Sequence, residues 1–406
     1  MGWKDISSRY LEIGKVMKRK NIFIIISIIT MLFFSACAEK ERGPKKDTIT
    51  DNNQNVWNFD MARICQSENG YYIFSGEFLY TLDGEEALPL CNKADCNHTN
   101  TECNAYLRNA FESTIGYDGK NIYAAGSDGD GKFSIYKFNP DGSGSEKICA
   151  VFQTTGMAAY SISCYYQGEY LYYRLALQNK KDAEIGRENE KLYRIQLESG
   201  AEPELIYENL DENVSTYLGR MYFYKNDLYI TVQKYETDGE KNTCALYRYE
   251  TKSNQFEIVL DRFVSQFFIL EDVLYYTSMD GIHKCRLDGT MDEVFYENPE
   301  FCDDLYYDGT YLYLSDTWFQ MQQEEHSDTQ SIYVLDLEGN LKKVIAIDWG
   351  CTILYGDQEN LVIQNKYEQN TDTESYFVNQ YYFYDKEQLK TDGNEWKSIE
   401  IKENWI

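Results

Sequence analysis

The sequence predicts an all-β fold, and its composition and its residue patterns both lead to this prediction. The chain has 406 residues, of which 37 are Tyr and 20 are Phe but only 5 are Pro, and aromatic residues are favoured in strands. Short segments alternate between apolar and polar residues, as strands with one buried side do. Asp-Gly pairs separate many of these segments and favour hairpin turns, because Gly adopts the positive φ angles that such turns require.

A repeat runs through most of the chain. Its first phrase is an aromatic residue, a turn containing Gly or Asp, and then Leu or Ile followed by Tyr, as in Tyr117–Tyr123 and Tyr307–Tyr313. Successive copies lie 38 to 57 residues apart. The anchor positions of the seven copies are Tyr72, Tyr123, Tyr172, Tyr229, Tyr275, Tyr313 and Val362.

A second phrase, a short alternating segment that ends in a turn, follows each copy of the first, as in Phe78–Asp83 and Ile332–Gly339. A repeat of this length, with two clear hairpin strands and two fainter flanking strands, is typical of a propeller blade. The seven copies therefore predict a seven-bladed β-propeller, with six or eight blades as alternatives. Stacked solenoid coils would need shorter and more regular periods.

The ring must also close. The alternating segment from Trp396 to Ile401 is the expected last strand. The segment from Asn55 to Ile64 could pair beside it and so join the two ends of the ring.

The N-terminal segment has the features of an export signal. A basic stretch, Lys18 to Lys20, precedes the apolar run Ile22–Phe34, and Met17 is a candidate for the true start. The small residues just before Cys37 resemble the lipobox of bacterial lipoproteins, and this resemblance implies that Cys37 is acylated and becomes the mature N-terminus. The alternative is an ordinary membrane anchor, but the run is shorter than the roughly 20 residues that a span needs.

These features divide the chain into three parts. Residues after Cys37 are polar and predict a flexible tether between lipid and domain. The resulting boundaries are a signal peptide at 1–37, a tether at 38–54 and a propeller domain at 55–406.

The charge balance excludes some partners. The chain has 39 Lys and Arg against 67 Asp and Glu, which gives a net charge of -28. Nucleic acid binding and docking through a polybasic patch both need a basic face. We therefore expect no nucleic acid partner. The lipobox resemblance implies attachment to the cell membrane through the acyl group, on the extracytoplasmic face, and a glycan or an envelope protein is the expected partner.

One blade carries a further resemblance. Leu274–Thr277, followed by Gly281-Ile282 and Arg286–Gly289, resembles the YWTD repeat of low-density-lipoprotein-receptor propellers. The whole chain, with its lipobox, resembles uncharacterised β-propeller lipoproteins of Gram-positive bacteria. This resemblance implies a fold and a location but no reaction.

The sharpest cluster of reactive residues is Cys91, Cys96, His98 and Cys103, within thirteen residues. Four side chains at this spacing could surround a tetrahedral zinc ion. An exported protein favours disulfides, which we expect first, with Cys65 as an outside partner because three cysteines are an odd number. Reduced thiols are the third alternative. In each case the cluster is expected to be a structural staple rather than a catalytic site, and the resemblance to the lipoproteins implies the same.

Other candidate sites are weaker. Asp128–Gly131 could suggest calcium, but a hairpin turn is the simpler interpretation because the calcium-binding loop spacing is missing. Trp318 and Phe319 are candidate ligand-contact aromatics. We identify no catalytic residues, because the hydrolase, phosphate-loop and metalloprotease motifs are missing. We therefore expect a binding or interaction module rather than an enzyme. The alternative is a carbohydrate-active enzyme, a glycosidase or lyase, with carboxylates at the propeller channel.

Overall fold

The structure is a computed structural model in which a set of segments between residues 64 and 403 is described. The described residues are 64–67, 70–83, 85–110, 115–127, 129–153, 159–178, 190–211, 213–236, 242–278, 280–297, 304–315, 329–370 and 375–403. The predicted signal peptide, Cys37 and the tether lie outside them. Among the described residues no helix is long and apolar enough to cross a membrane.

The described strands form seven antiparallel sheets of four strands each, and the sheets form a ring. Each sheet is one blade of a β-propeller, and its four strands are consecutive in sequence. Blade 1 contains β1 (Ile64–Ser67), β2 (Gly70–Ser75), β3 (Phe78–Leu82) and β4 (Ala87–Pro89), and blade 2 contains β5 (Gly116–Tyr117), β6 (Ile122–Ser127), β7 (Lys132–Phe138) and β8 (Ser145–Gln153). Blade 3 contains β9 (Ala159–Gln167), β10 (Tyr170–Gln178), β11 (Glu190–Gln196) and β12 (Glu204–Tyr207), and blade 4 contains β13 (Val214–Tyr224), β14 (Asp227–Glu236), β15 (Asn242–Glu250) and β16 (Gln255–Leu260). Blade 5 contains β17 (Phe267–Leu270), β18 (Val273–Ser278), β19 (Gly281–Arg286) and β20 (Glu293–Glu297), and blade 6 contains β21 (Asp304–Tyr307), β22 (Leu312–Ser315), β23 (Thr329–Leu335) and β24 (Leu341–Asp348). Blade 7 contains β25 (Thr352–Gly356), β26 (Asn360–Asn370), β27 (Ser375–Asp385) and β28 (Trp396–Lys402).

The blade count and the repeat register are confirmed. Every anchor of the first phrase lies on the second strand of its blade, and every copy of the second phrase lies on the third strand. All seven anchor side chains are buried. The predicted alternation of a buried and a solvent-facing side is only partly confirmed, because β11 alternates in part whereas β3 and β23 bury several consecutive residues.

The recurring Asp and Tyr of the first phrase are explained by a shared hydrogen-bonding unit. In blade 6, Asp308 Oδ1 accepts hydrogen bonds from the backbone amides of Thr310 and Tyr311, at 2.8 Å each, while its Oδ2 accepts one from the Tyr313 hydroxyl at 2.6 Å. The same unit in blade 2 joins Asp118 to Tyr123 at 3.1 Å. The carboxylate thus fixes the turn between the first two strands and anchors it to the second.

Blades 4 and 5 make the corresponding turn differently. Their two-residue turns have positive φ angles at both positions: 50° and 71° at Lys225 and Asn226, and 50° and 65° at Glu271 and Asp272. Positive φ at both central residues is the geometry of a type I′ hairpin, which needs no capping carboxylate.

This difference between blades gives a matched test. The change Tyr313→Phe removes a buried hydroxyl that donates to a carboxylate, and we expect it to lower the free energy of unfolding by about 1.5–3 kcal/mol. The change Tyr275→Phe at the equivalent position of blade 5 should cost less than about 0.5 kcal/mol, because this hydroxyl makes no hydrogen bond among the described residues. Urea denaturation of both variants measures the difference, and equal losses would contradict the proposed role of the carboxylate.

Aromatic rings join neighbouring blades, which explains the Tyr-rich composition. The ring pairs that cross the junctions are Tyr72–Tyr117, Tyr123–Tyr166, Tyr172–Phe223, Tyr222–Phe267, Phe268–Tyr307 and Tyr71–Tyr355, with centroids 4.7 to 6.1 Å apart. Edge-to-face and offset contacts at such distances are favourable beyond the burial of the ring surface.

The junction between blades 6 and 7 contains a buried charged pair. Lys386, at the start of the short 3-10 helix Lys386–Lys390 that follows β27, points its ammonium group at Asp308 Oδ2 and at the backbone carbonyl of Asp357. The side chains of Lys386 and Asp308 are only 5% and 3% exposed. The pair is therefore a buried ion pair that links the turns of two blades.

The prediction for ring closure is only partly correct. The last strand is β28, as expected, but Ile64 does not pair beside it: Ile64 lies in β1 and pairs with Ile73 of β2. Residues 55–63 lie outside the described residues. Blades 7 and 1 are joined by side chains, since the Tyr71 hydroxyl of blade 1 donates to Asp357 Oδ2 of blade 7 at 2.5 Å.

Candidate metal centre

The cysteine-rich segment interrupts the outermost strand of blade 1. The backbone carbonyl of Leu79 on β3 accepts a hydrogen bond from the amide of Leu90, just after β4, while the Leu79 amide donates to the carbonyl of Ala105. One residue of β3 therefore pairs with both sides of an excursion. We call this excursion, residues 91–104, the metal loop. After the metal loop the chain continues toward the start of β3, where the backbone amide of Leu107 donates to the carbonyl of Glu77.

Two tight turns fold the metal loop onto itself. The amide of Cys96 donates to the Lys93 carbonyl at 3.3 Å, and the amide of Cys103 donates to the Asn100 carbonyl at 3.1 Å. Between these turns His98 adopts a φ angle of 55°, a left-handed conformation that costs free energy for a residue other than glycine. The backbone is thus bent so that the His98 ring returns to the cysteines.

The four side chains that the sequence singled out converge. The sulfur atoms of Cys91, Cys96 and Cys103 and one ring nitrogen of His98 all lie within 4.8 Å of one another. His98 Nδ1 is 3.4 Å from the Cys103 sulfur. Among the described residues this is the one group of three or more His, Cys, Asp or Glu side chains that could hold a metal ion.

Backbone amides point at the sulfur atoms. Burial acts to raise the pKa of Cys91, but hydrogen bonds from the amides of Lys93 and Asn104, together with those from the Cys96 and Cys103 side chains, outweigh it and lower that pKa. For Cys103, burial is the largest cause and raises the pKa to about 12, against one hydrogen bond from the amide of Ala105. Amide groups two residues after Cys91 and Cys103 are therefore placed to stabilise thiolates, the form in which cysteine binds metals.

The distances fit a tetrahedral zinc site. Bonds of about 2.3 Å to sulfur and about 2.0–2.1 Å to nitrogen place the sulfur and nitrogen ligands of such a site about 3.5 Å apart, close to the distance between His98 and Cys103. The expected disulfide is not formed, since Cys91, Cys96 and Cys103 are free. Four convergent ligands use all three cysteines and the histidine, whereas a disulfide would leave one cysteine over.

The metal loop also contacts blade 2. The amide of Asn92 and the side-chain amide of Asn104 both donate to the carbonyl of Gly142, at 3.1 and 2.8 Å. Gly142 lies in the turn between β7 and β8, with a φ angle of 74°. A β-carbon there would come within 3.1 Å of the backbone nitrogen of Cys91, so only glycine allows this close approach.

A groove lies beside this contact, between blades 1 and 2, and we call it the blade 1–2 groove. It has a volume of about 520 Å³ and is lined by hydroxyl groups, carboxylates and two tyrosines. Its lining residues are Ser67, Tyr72, Thr81, Leu82, Asp83, Glu86, Leu88, Tyr117, Pro140 and Asp141. The groove leaves no distinct signal in the sequence, because Tyr72 and Tyr117 belong to the repeat and Asp83 and Asp141 resemble ordinary turn residues.

A buried arginine links blades 4, 5 and 6. Arg220, on the first strand of blade 4, donates to the side chain of Gln266 before blade 5 and to the carbonyl of Leu305 in blade 6, the latter at 3.3 Å. Burial lowers its pKa to about 10, so it remains protonated at neutral pH. A buried carboxylate, that of Asp304 on the first strand of blade 6, lies close enough to interact with this guanidinium group.

The remaining predicted residues lie apart from the metal loop or outside the described residues. Cys65 is free and buried on β1, where burial raises its pKa well above the ordinary value, and it is not one of the four convergent ligands. Trp318 and Phe319 lie outside the described residues. In the segment proposed for calcium, Gly129 and Gly131 have positive φ angles between β6 and β7, as a hairpin turn requires.

Comparison with known proteins supports the fold. No protein-family model and no curated protein matches the chain. Among solved structures, a prolyl endopeptidase is 11% identical with a TM-score of 0.50, and the match covers 88% of this chain and 51% of that chain. A puromycin hydrolase is 10% identical with a TM-score of 0.44, covering 78% and 49%. TolB from Acinetobacter baumannii is 11% identical with a TM-score of 0.36, covering 71% and 61%.

These matches correct one expectation. A binding module rather than an enzyme was expected, but the solved structures similar to this chain include a prolyl endopeptidase. An enzyme thus contains a propeller of the same fold, and the expectation that the chain is not an enzyme, which rested on missing sequence motifs, was wrong. At these identities the likeness shows the fold alone, and the chain spans about half the length of the peptidases.

Proposed function

We propose that the protein is a lipid-anchored binding module on the extracytoplasmic face of the cell membrane, and that it binds a glycan in the blade 1–2 groove. The observation that carries the proposal is the lining of this groove. Aromatic rings, carboxylates and hydroxyl groups occur together there, and sugars are bound by the combination of an apolar ring surface with hydrogen-bonding groups.

The carboxylates of the groove are suited to accept hydrogen bonds from sugar hydroxyls. Backbone hydrogen bonds from Glu85 and Glu86 lower the pKa of Asp83, and hydrogen bonds from Ser143 lower the pKa of Asp141. Both groups are therefore ionised at neutral pH. Beside them, the rings of Tyr72 and Tyr117 meet edge to face with centroids 5.3 Å apart.

A glycan-array screen of the purified chain tests this proposal. We expect at least one class of glycan to bind, and Tyr117→Ala to weaken the binding at least about tenfold, since aromatic anchors often dominate binding energy. Tyr235→Ala provides the control, because Tyr235 is an exposed tyrosine on β14 of blade 4. Binding that survives Tyr117→Ala but not Tyr235→Ala would place the site elsewhere.

A second candidate function is hydrolysis of a glycan in the same groove. It is favoured by the presence of three carboxylates, Asp83, Glu86 and Asp141, around one groove, because glycosidases use a pair of carboxylates that flank the scissile bond. Incubation of each array hit with the protein, followed by product analysis, separates the two functions. Shortened products that disappear in Glu86→Gln would support hydrolysis.

We further propose that Cys91, Cys96, His98 and Cys103 hold a structural zinc ion. Three thiolates and one imidazole form a ligand set that zinc prefers, and four protein ligands leave no open position for a substrate. The ion would stabilise a segment with few apolar side chains of its own. When bound, zinc would therefore supply folding free energy to the outer edge of blade 1.

The proposed anchor has its own test. We expect Cys37→Ala to release the protein from the membrane fraction or to leave an unprocessed precursor, because this change removes the acylated thiol that the lipobox resemblance implies. Fractionation and labelling with a fatty-acid analogue measure the outcome. If the variant is still labelled and retained, the lipoprotein proposal is incorrect.

A further inference from the structure

We infer that metal loading of the Cys91, Cys96, His98 and Cys103 site fixes one wall of the blade 1–2 groove. The inference rests on the proposed zinc site and adds a regulatory role to it: the shape of the groove depends on the metal. It follows from the path of hydrogen bonds that leads from the metal ligands to the groove.

The first step of this path joins the ligands to blade 2. Asn92 is adjacent to the ligand Cys91, and Asn104 is adjacent to the ligand Cys103; both donate to the same carbonyl, that of Gly142. The Asn104 side chain also donates to Asn92 Oδ1 at 3.4 Å. A metal ion that holds Cys91 and Cys103 together would therefore hold the two donors together as well.

The second step joins Gly142 to the groove. Gly142 lies in the turn 139–144, in which the Gly142 amide donates to the Asn139 carbonyl and the Asn139 amide donates to the Gly144 carbonyl, at 3.0 Å each. Pro140 and Asp141 of this turn line the groove. Gly142 leaves no room for a side chain against the backbone of the metal loop, so a shift of the loop is transmitted directly to the turn.

Without the metal this connection should loosen. The metal loop is polar and mostly exposed, so little apolar burial would keep it in place. The lining residues Ser67 and Tyr72 lie on β1 and β2 of blade 1, and β3 separates these strands from the metal loop. Loss of the ion is therefore expected to move one wall and leave the other.

Hydrogen exchange measured by mass spectrometry tests the inference on the full chain, loaded with zinc and after treatment with a chelator. We expect the amides of residues 139–145 to exchange at least about tenfold faster after zinc is removed. The turn 336–340 between β23 and β24 is the internal control. Its hydrogen bonds from Asp336 to Asn340 and from Gly339 to Asp336 match those of turn 139–144, and its exchange should not change.

Two variants separate this inference from the zinc site itself. Asn104→Ala keeps all four ligands and removes the side-chain hydrogen bond to Gly142. Zinc should therefore still bind, while the amides of residues 139–145 exchange faster even with zinc present. Thr99→Ala, at an exposed position of the same loop, should behave like the unchanged protein. Zinc binding with no zinc-dependent exchange in residues 139–145 would overturn the inference alone, whereas a chain that binds no zinc would overturn the zinc site and the inference together.

Discussion

Replacing Lys386 by Met should lower the free energy of unfolding by about 3–5 kcal/mol, because removal of one partner leaves a buried charge without compensation. The ammonium group of Lys386 lies between blades 6 and 7, against Asp308 and the carbonyl of Asp357. After the change, Asp308 keeps its bonds to the turn amides and to Tyr313 but loses its counter-charge. Denaturation by urea measures the loss.

The control for this prediction lies in the same short helix. Lys390 pairs with Glu387 at 2.7 Å, but the two side chains are 64% and 77% exposed, so solvent screens their interaction. Lys390→Met should leave the urea midpoint unchanged within experimental error. If both variants lost the same stability, the cost would come from the helix and not from the buried ion pair.

Removal of zinc should have the second large effect. We expect the purified chain to contain one zinc ion per molecule and to lose at least about 3 kcal/mol of stability when a chelator removes it, because structural zinc contributes directly to folding. Cys103→Ser should abolish stoichiometric zinc binding, since it deletes the most buried of the three thiol ligands. The melting temperature of this variant should no longer respond to chelator.

Cys244→Ser provides the matched control for zinc binding. Cys244 is a half-buried free thiol on β15, outside the group of convergent ligands. This variant should retain one zinc ion and the response to chelator. A chain without zinc whose intact mass is two hydrogens lighter would indicate a disulfide instead, and would contradict the proposed metal site.

The repeat could be predicted from sequence because it depends on short-range patterns. The alternation of β3, the turns with Asp118 and Asp308, and the buried anchors such as Tyr172 all recur within a few residues, and seven copies reinforce one another. The type I′ turns at Lys225 and Glu271 were not distinguished from the others, because the φ angles of residues other than glycine leave a weak signal in sequence.

Contacts between distant segments could not be predicted in the same way. The convergence of Cys91, Cys96, His98 and Cys103 follows from their spacing, but the choice between metal and disulfide required their geometry. The approach of Asn104 to Gly142 joins residues 38 positions apart, and no local pattern specifies it. The pairing of Ile64 was wrongly predicted for a related reason: apolar alternation identifies a strand but not its neighbour.

Each described sheet is built from one uninterrupted stretch of chain, and this gives the ring a modular genetic organisation. A duplication or deletion whose ends fall between sheets would add or remove a whole blade without dividing any sheet between two ends of the gene. The junctions rely on similar aromatic pairs, such as Tyr172 with Phe223 and Phe268 with Tyr307, so a copied blade would arrive with side chains that already suit its new neighbours. A single recombination event of this kind would change the number of blades encoded, and the repeated aromatic residues would provide packing partners for the added blade.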